Sequence, residues 1–130
     1  MKIEVSIDRS PNIDQLRKLF IQAGWVDKTD ERRLELMVEN STIIVTAWDK
    51  KKMIGFARCL TDYAYNGLIN TVVVDKEYRR MGIGKQIIEK ILNSSDQVTY
   101  VLRADPDNIE FYKKLGFEHD NLAVVFRRKG

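Results

Sequence analysis

Cysteine is almost missing from this chain: Cys59 is the one thiol in 130 residues, so no disulfide can form within it. Histidine is as scarce, and His119 has no company of cysteines or carboxylates at metal-ligand spacing. It reads as a structural or exposed residue, Cys59 as a small buried one, and no metal is expected. No apolar run is long enough for a secretion signal or a membrane span, which makes a cytoplasmic protein without a membrane partner the expectation. Nor does either sign of charge dominate: Lys plus Arg number 22 against 19 Asp plus Glu, a net charge of +3 with a pI near 9.0. The charges are interspersed and favour an anionic ligand only mildly. A basic stripe interleaved with aromatic residues is lacking, so nucleic acid is not an expected partner. Repeats, linkers and low-complexity segments are absent too. What is present, 44% hydrophobic residues over this length, suits one domain spanning residues 1–130 with a real core.

Periodicity divides the chain into alternating elements. Ile3, Val5 and Ile7 alternate with polar residues as in a half-buried strand. Ser10-Pro11 opens a helix with Ile13, Leu16, Leu19, Phe20 and Ala23 on one face, and Gly24 stops it. Thr29-Asp30-Glu31 begins a second helix bearing Leu34, Met37 and Val38. Residues 42–48 and 53–60 flank the polar turn Asp49-Lys50-Lys51-Lys52 and read as a hairpin, followed by a strand over 68–74. A helix over 83–92, a strand over 97–102, a helix over 107–115 and two last strands over 117–119 and 122–127 complete the order. The pattern is α/β, with a mixed, mostly antiparallel sheet and flanking helices, the strands on either side of the 83–92 helix being parallel.

Chemistry concentrates in one run, Val72-Val73-Val74-Asp75-Lys76-Glu77-Tyr78-Arg79-Arg80-Met81-Gly82-Ile83-Gly84-Lys85. A β-branched strand turns through two glycines into a helix whose first amides lack a carbonyl four residues back. Those amides point outward with the positive end of the helix dipole, and Arg79, Arg80 and Lys85 add charge, so a diphosphate fits there. A P-loop is excluded because position 79 is Arg and Gly84-Lys85 is followed by Gln86. The dinucleotide GxGxxG fails at Ile87. A second run, Asp107-Asn108-Ile109-Glu110-Phe111-Tyr112-Lys113-Lys114-Leu115-Gly116-Phe117, follows about 25 residues after the glycines. Its Asp107 and Glu110 are spaced as a capping box, Pro106 sits where a missing N–H is harmless, and Gly116 is a natural helix stop.

Arg79-x-x-Gly82-x-Gly84 after a hydrophobic strand resembles the acyl-CoA signature of the GNAT superfamily of N-acyltransferases, and Phe111-Tyr112 with Gly116-Phe117 is similar to that family's second motif. The resemblance covers roughly residues 40–127. It implies the GNAT fold and an acetyl-CoA-dependent N-acetyltransferase acting on a primary amine, by direct attack without an acyl-enzyme. Dimers are frequent among relatives. The two parallel strands would splay to admit the pantetheine arm beside main-chain groups of Val72, Val73 and Val74. The loop Arg79, Arg80, Met81, Gly82, Ile83, Gly84 and Lys85 would hold the diphosphate. Tyr112 would be the proton donor or hydrogen-bond partner of the departing thiolate, and an amide near Val73 or Val74 would face the oxyanion.

Two positions depart from the family pattern. The acidic residue that the family often carries in the strand feeding the glycines is replaced by Asn70 and Thr71, neither of which is a base. The protonated amine, with a pKa of about 10.4, must still lose its proton at a cost of about 4–5 kcal/mol at neutral pH. Water held by Asn70 or Thr71, Asp62 and Glu110 are the alternatives. Asn108 lies four residues before Tyr112, whereas the family's asparagine, a pantetheine ligand, is commonly further upstream. On the acceptor side, Asp62, Tyr63 and Tyr65, a carboxylate among aromatic rings, suit a cationic amine, and Trp25 and Asn70 join them as candidates. A module that holds CoA without efficient transfer is the competing reading.

Overall fold

The structure, a computed structural model, describes residues 2–129. Strand β1 (Ile3–Ser6) leads to helix α1 (Ile13–Gln22), a 3₁₀ turn (Val26–Lys28) and helix α2 (Glu31–Asn40). Strands β2 (Ile43–Asp49), β3 (Lys52–Thr61) and β4 (Asn66–Val74) follow, then a 3₁₀ turn (Lys76–Tyr78), helix α3 (Ile83–Leu92), strand β5 (Thr99–Val101), a 3₁₀ turn (Pro106–Asn108) and helix α4 (Ile109–Lys114). Neighbouring strands lie in the order β1-β2-β3-β4-β5, antiparallel throughout except for the β4/β5 pair. This is the mixed, mostly antiparallel sheet read from the sequence.

Helices cover both faces. Ile83, Ile87, Ile88 and Ile91 of α3 recur at helical spacing and bury against Val45, Ala47, Ile54, Ala57, Cys59 and Ile69. Each such side chain contributes roughly 1.5–3 kcal/mol by leaving water, so packing rather than propensity holds this ten-residue helix. On the opposite face, Leu16, Leu19, Phe20 and Leu34 of α1 and α2 meet Trp48, Met53, Phe56 and Val73.

Two features of β4 position the site. Only Asn66, Gly67 and Leu68 pair with β5, opposite Thr99, Tyr100 and Val101, so β4 beyond Leu68 runs on without a parallel neighbour and a wedge opens between the strands. Glycine is required at 67, where a Cβ would stand 2.7 Å from the Tyr100 ring. Further along, Phe56 pairs with Val73 and Arg58 with Asn70, so Thr71 and Val72 together oppose Ala57 in a bulge. Thr71 takes a φ of 59°, a left-handed conformation that is uncommon for a β-branched residue.

Several sequence expectations need correction. The final strands at 117–119 and 122–127 do not form: residues 117–129 carry no regular structure, with Leu122, Val124 and Phe126 at 85%, 96% and 93% exposure. A strand gains only from a paired edge and a buried face, and in this single chain the segment has neither. β5 shrinks from residues 97–102 to three because only three find partners on β4. Ile7 lies past the end of β1 and is 40% exposed. α1 starts two residues after Ser10-Pro11, where the Asn12 Oδ1 accepts from the Gln15 amide at 2.9 Å. The Asp107/Glu110 capping box is not made, since residues 106–108 coil as a 3₁₀ turn and α4 starts at Ile109 without a side-chain cap.

Candidate functional site

The turn between β4 and α3 is built by backbone choice. Arg80 and Gly82 both have positive φ, 65° and 77°, which turns successive amides to one side as in an anion-binding nest. Around Gly82 a Cβ would meet nothing within 4 Å, so the backbone there lies open. Gln86 is the first amide of α3 to reach back, to the Gly82 carbonyl at 3.1 Å. The amides of Ile83, Gly84 and Lys85, in the turn before it, have no helical carbonyl to bond. Arg79, Arg80, Met81 and Lys85 are exposed at its rim, and Arg79 Nε donates to the Val74 carbonyl at 3.3 Å. Open amides, an αL glycine and three cations fit a diphosphate, the anchor of coenzyme A.

Residues far apart in sequence secure that turn, and sequence reasoning missed them. Asp75, 4% exposed, accepts from the Glu77 amide at 2.9 Å and from Gln22 Nε2 at 3.3 Å, with Lys52 Nζ at 3.7 Å. Gln22 Oε1 in turn accepts from the Lys76 amide at 3.1 Å. An aspartate at a strand end was the legible half of this; a glutamine 53 positions away was not.

The two sequence motifs come together at Gly84. A Cβ there would lie 3.6 Å from Phe111 Cζ and 3.9 Å from Val74 Cγ2, so the start of α3 sits against α4 and the end of β4. Tyr112, next to Phe111, packs edge-on to Phe111 and Phe117 with ring centroids at 5.0 and 5.6 Å. Burial first, then the negative charge of Asp105, raises its pKa, so the phenol keeps its proton. Tyr112 also lines a hollow of about 770 Å³ with Thr99–Ala104 and Leu115–Asp120, the space beside β5 that the expected last strands leave open. Asn108 is exposed at the end of its 3₁₀ turn.

The expected acceptor residues do not form one cluster. Trp25 packs edge-on to Phe20 at 5.2 Å beside α1. Asp62, Tyr63 and Tyr65 belong to the loop between β3 and β4. There the Asp62 carboxylate accepts from the amides of Ala64, Tyr65 and Asn66 at 2.8, 2.8 and 3.1 Å. These bonds hold its pKa below the usual carboxylate range, which makes it a weak base and a loop-closing group. The Tyr63 hydroxyl donates to the Thr42 carbonyl at 3.2 Å, and Tyr65 is 75% exposed. Glu110 is exposed and pairs with Lys113 at 3.5 Å. Asn70 stands apart from that loop, at the β4 bulge. Its neighbours there are Thr71 and, opposite on β3, Arg58, a residue sequence reasoning passed over although a cation inside Phe56-Ala57-Arg58-Cys59-Leu60 was a signal. Among the described residues no three His, Cys, Asp or Glu side chains gather to hold a metal, and no helix is long and apolar enough to cross a membrane.

The family profile described as an acetyltransferase (GNAT) domain matches residues 39–119, from the end of α2 past α4. The chain belongs to the GNAT acetyltransferases. An uncharacterized N-acetyltransferase of Pyropia yezoensis, ycf52, is 34% identical over 129 residues, covering 94% of this chain and 74% of that protein. GCN5-related N-acetyltransferase 2, chloroplastic, of Arabidopsis thaliana is 42% identical over 78 residues, 58% of this chain and 30% of the relative. Among solved structures, a probable acetyltransferase of Staphylococcus aureus superposes with a TM-score of 0.85 at 25% identity, covering 99% of this chain and all of the other. Such a GNAT domain is a transferase, and its family generally uses acetyl-CoA.

Proposed function

We propose that residues 1–130 form one N-acetyltransferase domain that uses acetyl-CoA and acetylates a primary amine directly. The observation that carries this reading is the open αL turn at Arg79–Lys85 standing at the foot of the β4/β5 wedge, with Tyr112 of the second motif packed nearby. Acetyl-CoA, when bound, supplies an acyl group already activated as a thioester. The chain's own groups do the rest. Amides of the turn, with Arg79, Arg80 and Lys85, hold the diphosphate, and the stretch Val72–Val74, which has no partner on its β5 side, offers main-chain bonds to the arm and a donor for developing negative charge. Tyr112, a half-buried phenol kept protonated, donates to the leaving thiolate. Proton removal from the amine goes through water, because Asp62 is committed to its loop. Asn108, Trp25, Tyr63 and Tyr65 are assigned supporting contacts only.

The competing reading, a CoA-holding module without efficient transfer, is favoured by the neutral side chains at 70 and 71. Thiol release from acetyl-CoA across a library of amines separates the two: release dependent on amine supports the transferase, and tight acetyl-CoA binding without release supports the module.

The partners in this reading are the amine and a second copy of the chain. Leu122, Val124, Val125 and Phe126 expose a continuous apolar segment, while the outer edge of β5 and the hollow beside it lie uncovered in the same molecule. Each copy thus carries one strand to give and one edge to fill, the condition for a closed two-fold pair. Light scattering of the intact chain tests it. A monomer at micromolar concentration would exclude the pair, and a dimer that Val124→Lys with Phe126→Lys dissociates would support it. The cytoplasm is the proposed compartment. A plastid is the alternative, on the ground that some relatives are named chloroplastic.

A further inference from the structure

We infer that the amine accepted by this enzyme carries a negatively charged group, a carboxylate or a phosphate, and that Arg58 and Asn70 recognise it; the inference rests on the transferase reading above. Arg58 and Asn70 face one another across β3 and β4. Arg58 is two residues from Phe56, and so lies on the sheet face covered by α1 and α2, opposite the face packed by α3. The diphosphate turn opens at the start of α3, so a ligand entering the wedge from that side leaves the α1/α2 face for the second substrate. The bulge at Thr71-Val72, where β4 runs on free of β5, brings this pair next to the stretch assigned to the acyl arm.

Hydrogen-bond direction decides what the pair can bind. Arg58 Nε donates to Thr71 Oγ1 at 3.1 Å, and the Thr71 hydroxyl spends its proton on Asn70 Oδ1 at 2.9 Å. Both oxygens of this trio are therefore engaged as acceptors. What it still offers is donors: four N–H on the two terminal nitrogens of Arg58 and two on Asn70 Nδ2. None of these six makes a hydrogen bond with a described residue, and no carboxylate lies within ion-pair distance of Arg58 among the described residues. The guanidinium is half-buried, and burial lowers its pKa, the mark of a cation partly stripped of water without a counter-charge. A planar fork of donors beside an amide donor suits a carboxylate or phosphate bound through two oxygens, and it repels a polyamine or any other multiply cationic acceptor. The strained left-handed φ of Thr71 holds its hydroxyl between the two, which makes Thr71 a positioning residue.

The experiment compares four short amines with the intact enzyme and acetyl-CoA: β-alanine, O-phosphoethanolamine, ethanolamine and putrescine. The anionic pair should exceed the neutral and dicationic amines in kcat/KM, and which of the two leads tells carboxylate from phosphate. In Arg58→Gln the ratio of anionic to neutral kcat/KM should fall on the order of 10–100-fold, mainly through KM, as expected for losing a charge-assisted hydrogen-bonded pair. Arg58→Lys should restore part of it. Asn70→Asp, nearly isosteric, would give Arg58 an internal partner and should remove the preference. Calorimetry with N-acetyl-β-alanine and N-acetylethanolamine reads the same discrimination without turnover. Ethanolamine or putrescine used as well as the anionic amines, or an Arg58→Gln ratio equal to that of the native enzyme, overturns the acceptor assignment while leaving the transferase standing. Acetyl-CoA bound normally but no amine acetylated overturns both.

Discussion

Replacing Gly82 separates the backbone's role from the ligand's. Gly82 caps α3 at φ 77° and ψ 11°, inside the left-handed region, and an added Cβ would touch nothing in the protein. Gly82→Ala therefore meets no clash, only the left-handed penalty of about 1–2 kcal/mol, which for a chain of this size lowers Tm by roughly 3–8 °C. Gly82→Asn, a residue that tolerates this region, should lose about half as much. Ligand binding is expected to follow a different order. Asn and Ala place a small uncharged group near the diphosphate and should weaken acetyl-CoA by less than about tenfold, roughly 1.4 kcal/mol. Gly82→Glu adds a like charge at the same amides and cancels part of the helix-dipole attraction, so affinity should fall by more than about a hundredfold. Scanning calorimetry gives the first series and titration calorimetry with acetyl-CoA the second. If Gly82→Glu binds acetyl-CoA as the native chain does, the diphosphate does not sit at this turn and the reasoning fails.

Tyr112→Phe should lower turnover by at least about tenfold at unchanged acetyl-CoA affinity, as for loss of one general acid; equal rates in stopped-time thiol assays would remove Tyr112 from the chemistry. Because burial and Asp105 raise its pKa, the unfolded phenol ionises first, so Tyr112 makes stability fall as pH climbs through and above its ordinary value of about 10. Urea melts from pH 8 to 11 should show a smaller fall in Tyr112→Phe than in the native chain. Asp62 has the opposite sign: its folded pKa is depressed, so its stabilising effect is present above the unfolded value of about 3.9 and vanishes as pH drops through the folded one. Asp62→Asn should flatten that acid limb and leave acetyl-CoA affinity alone; an unchanged limb would mean the three amide bonds add nothing.

Much of this protein was determined by its sequence alone, and the reason is local. The isoleucines at 83, 87, 88 and 91 fix a helix and its buried face by their spacing, and Gly24, Gly82 and Gly116 mark three turns because each takes a positive φ that glycine adopts without cost. The β2/β3 hairpin, the turn into α3 and the order of elements followed from such short-range rules. The failures were non-local. Residues 122–126 are apolar enough for a strand, but whether they become one depends on pairing with a sheet edge, and within one chain they pair with none. Asp62, placed by sequence opposite an amine, is occupied by its own loop. Which donors remain free around Arg58 could not be read from any motif. That depended on the β4 bulge bringing Thr71 between residues 58 and 70, a matter of strand register rather than of neighbouring letters. Helix and turn type are set within a few bonds of each residue, whereas the charge balance of a site is set by which distant strands the fold lays side by side.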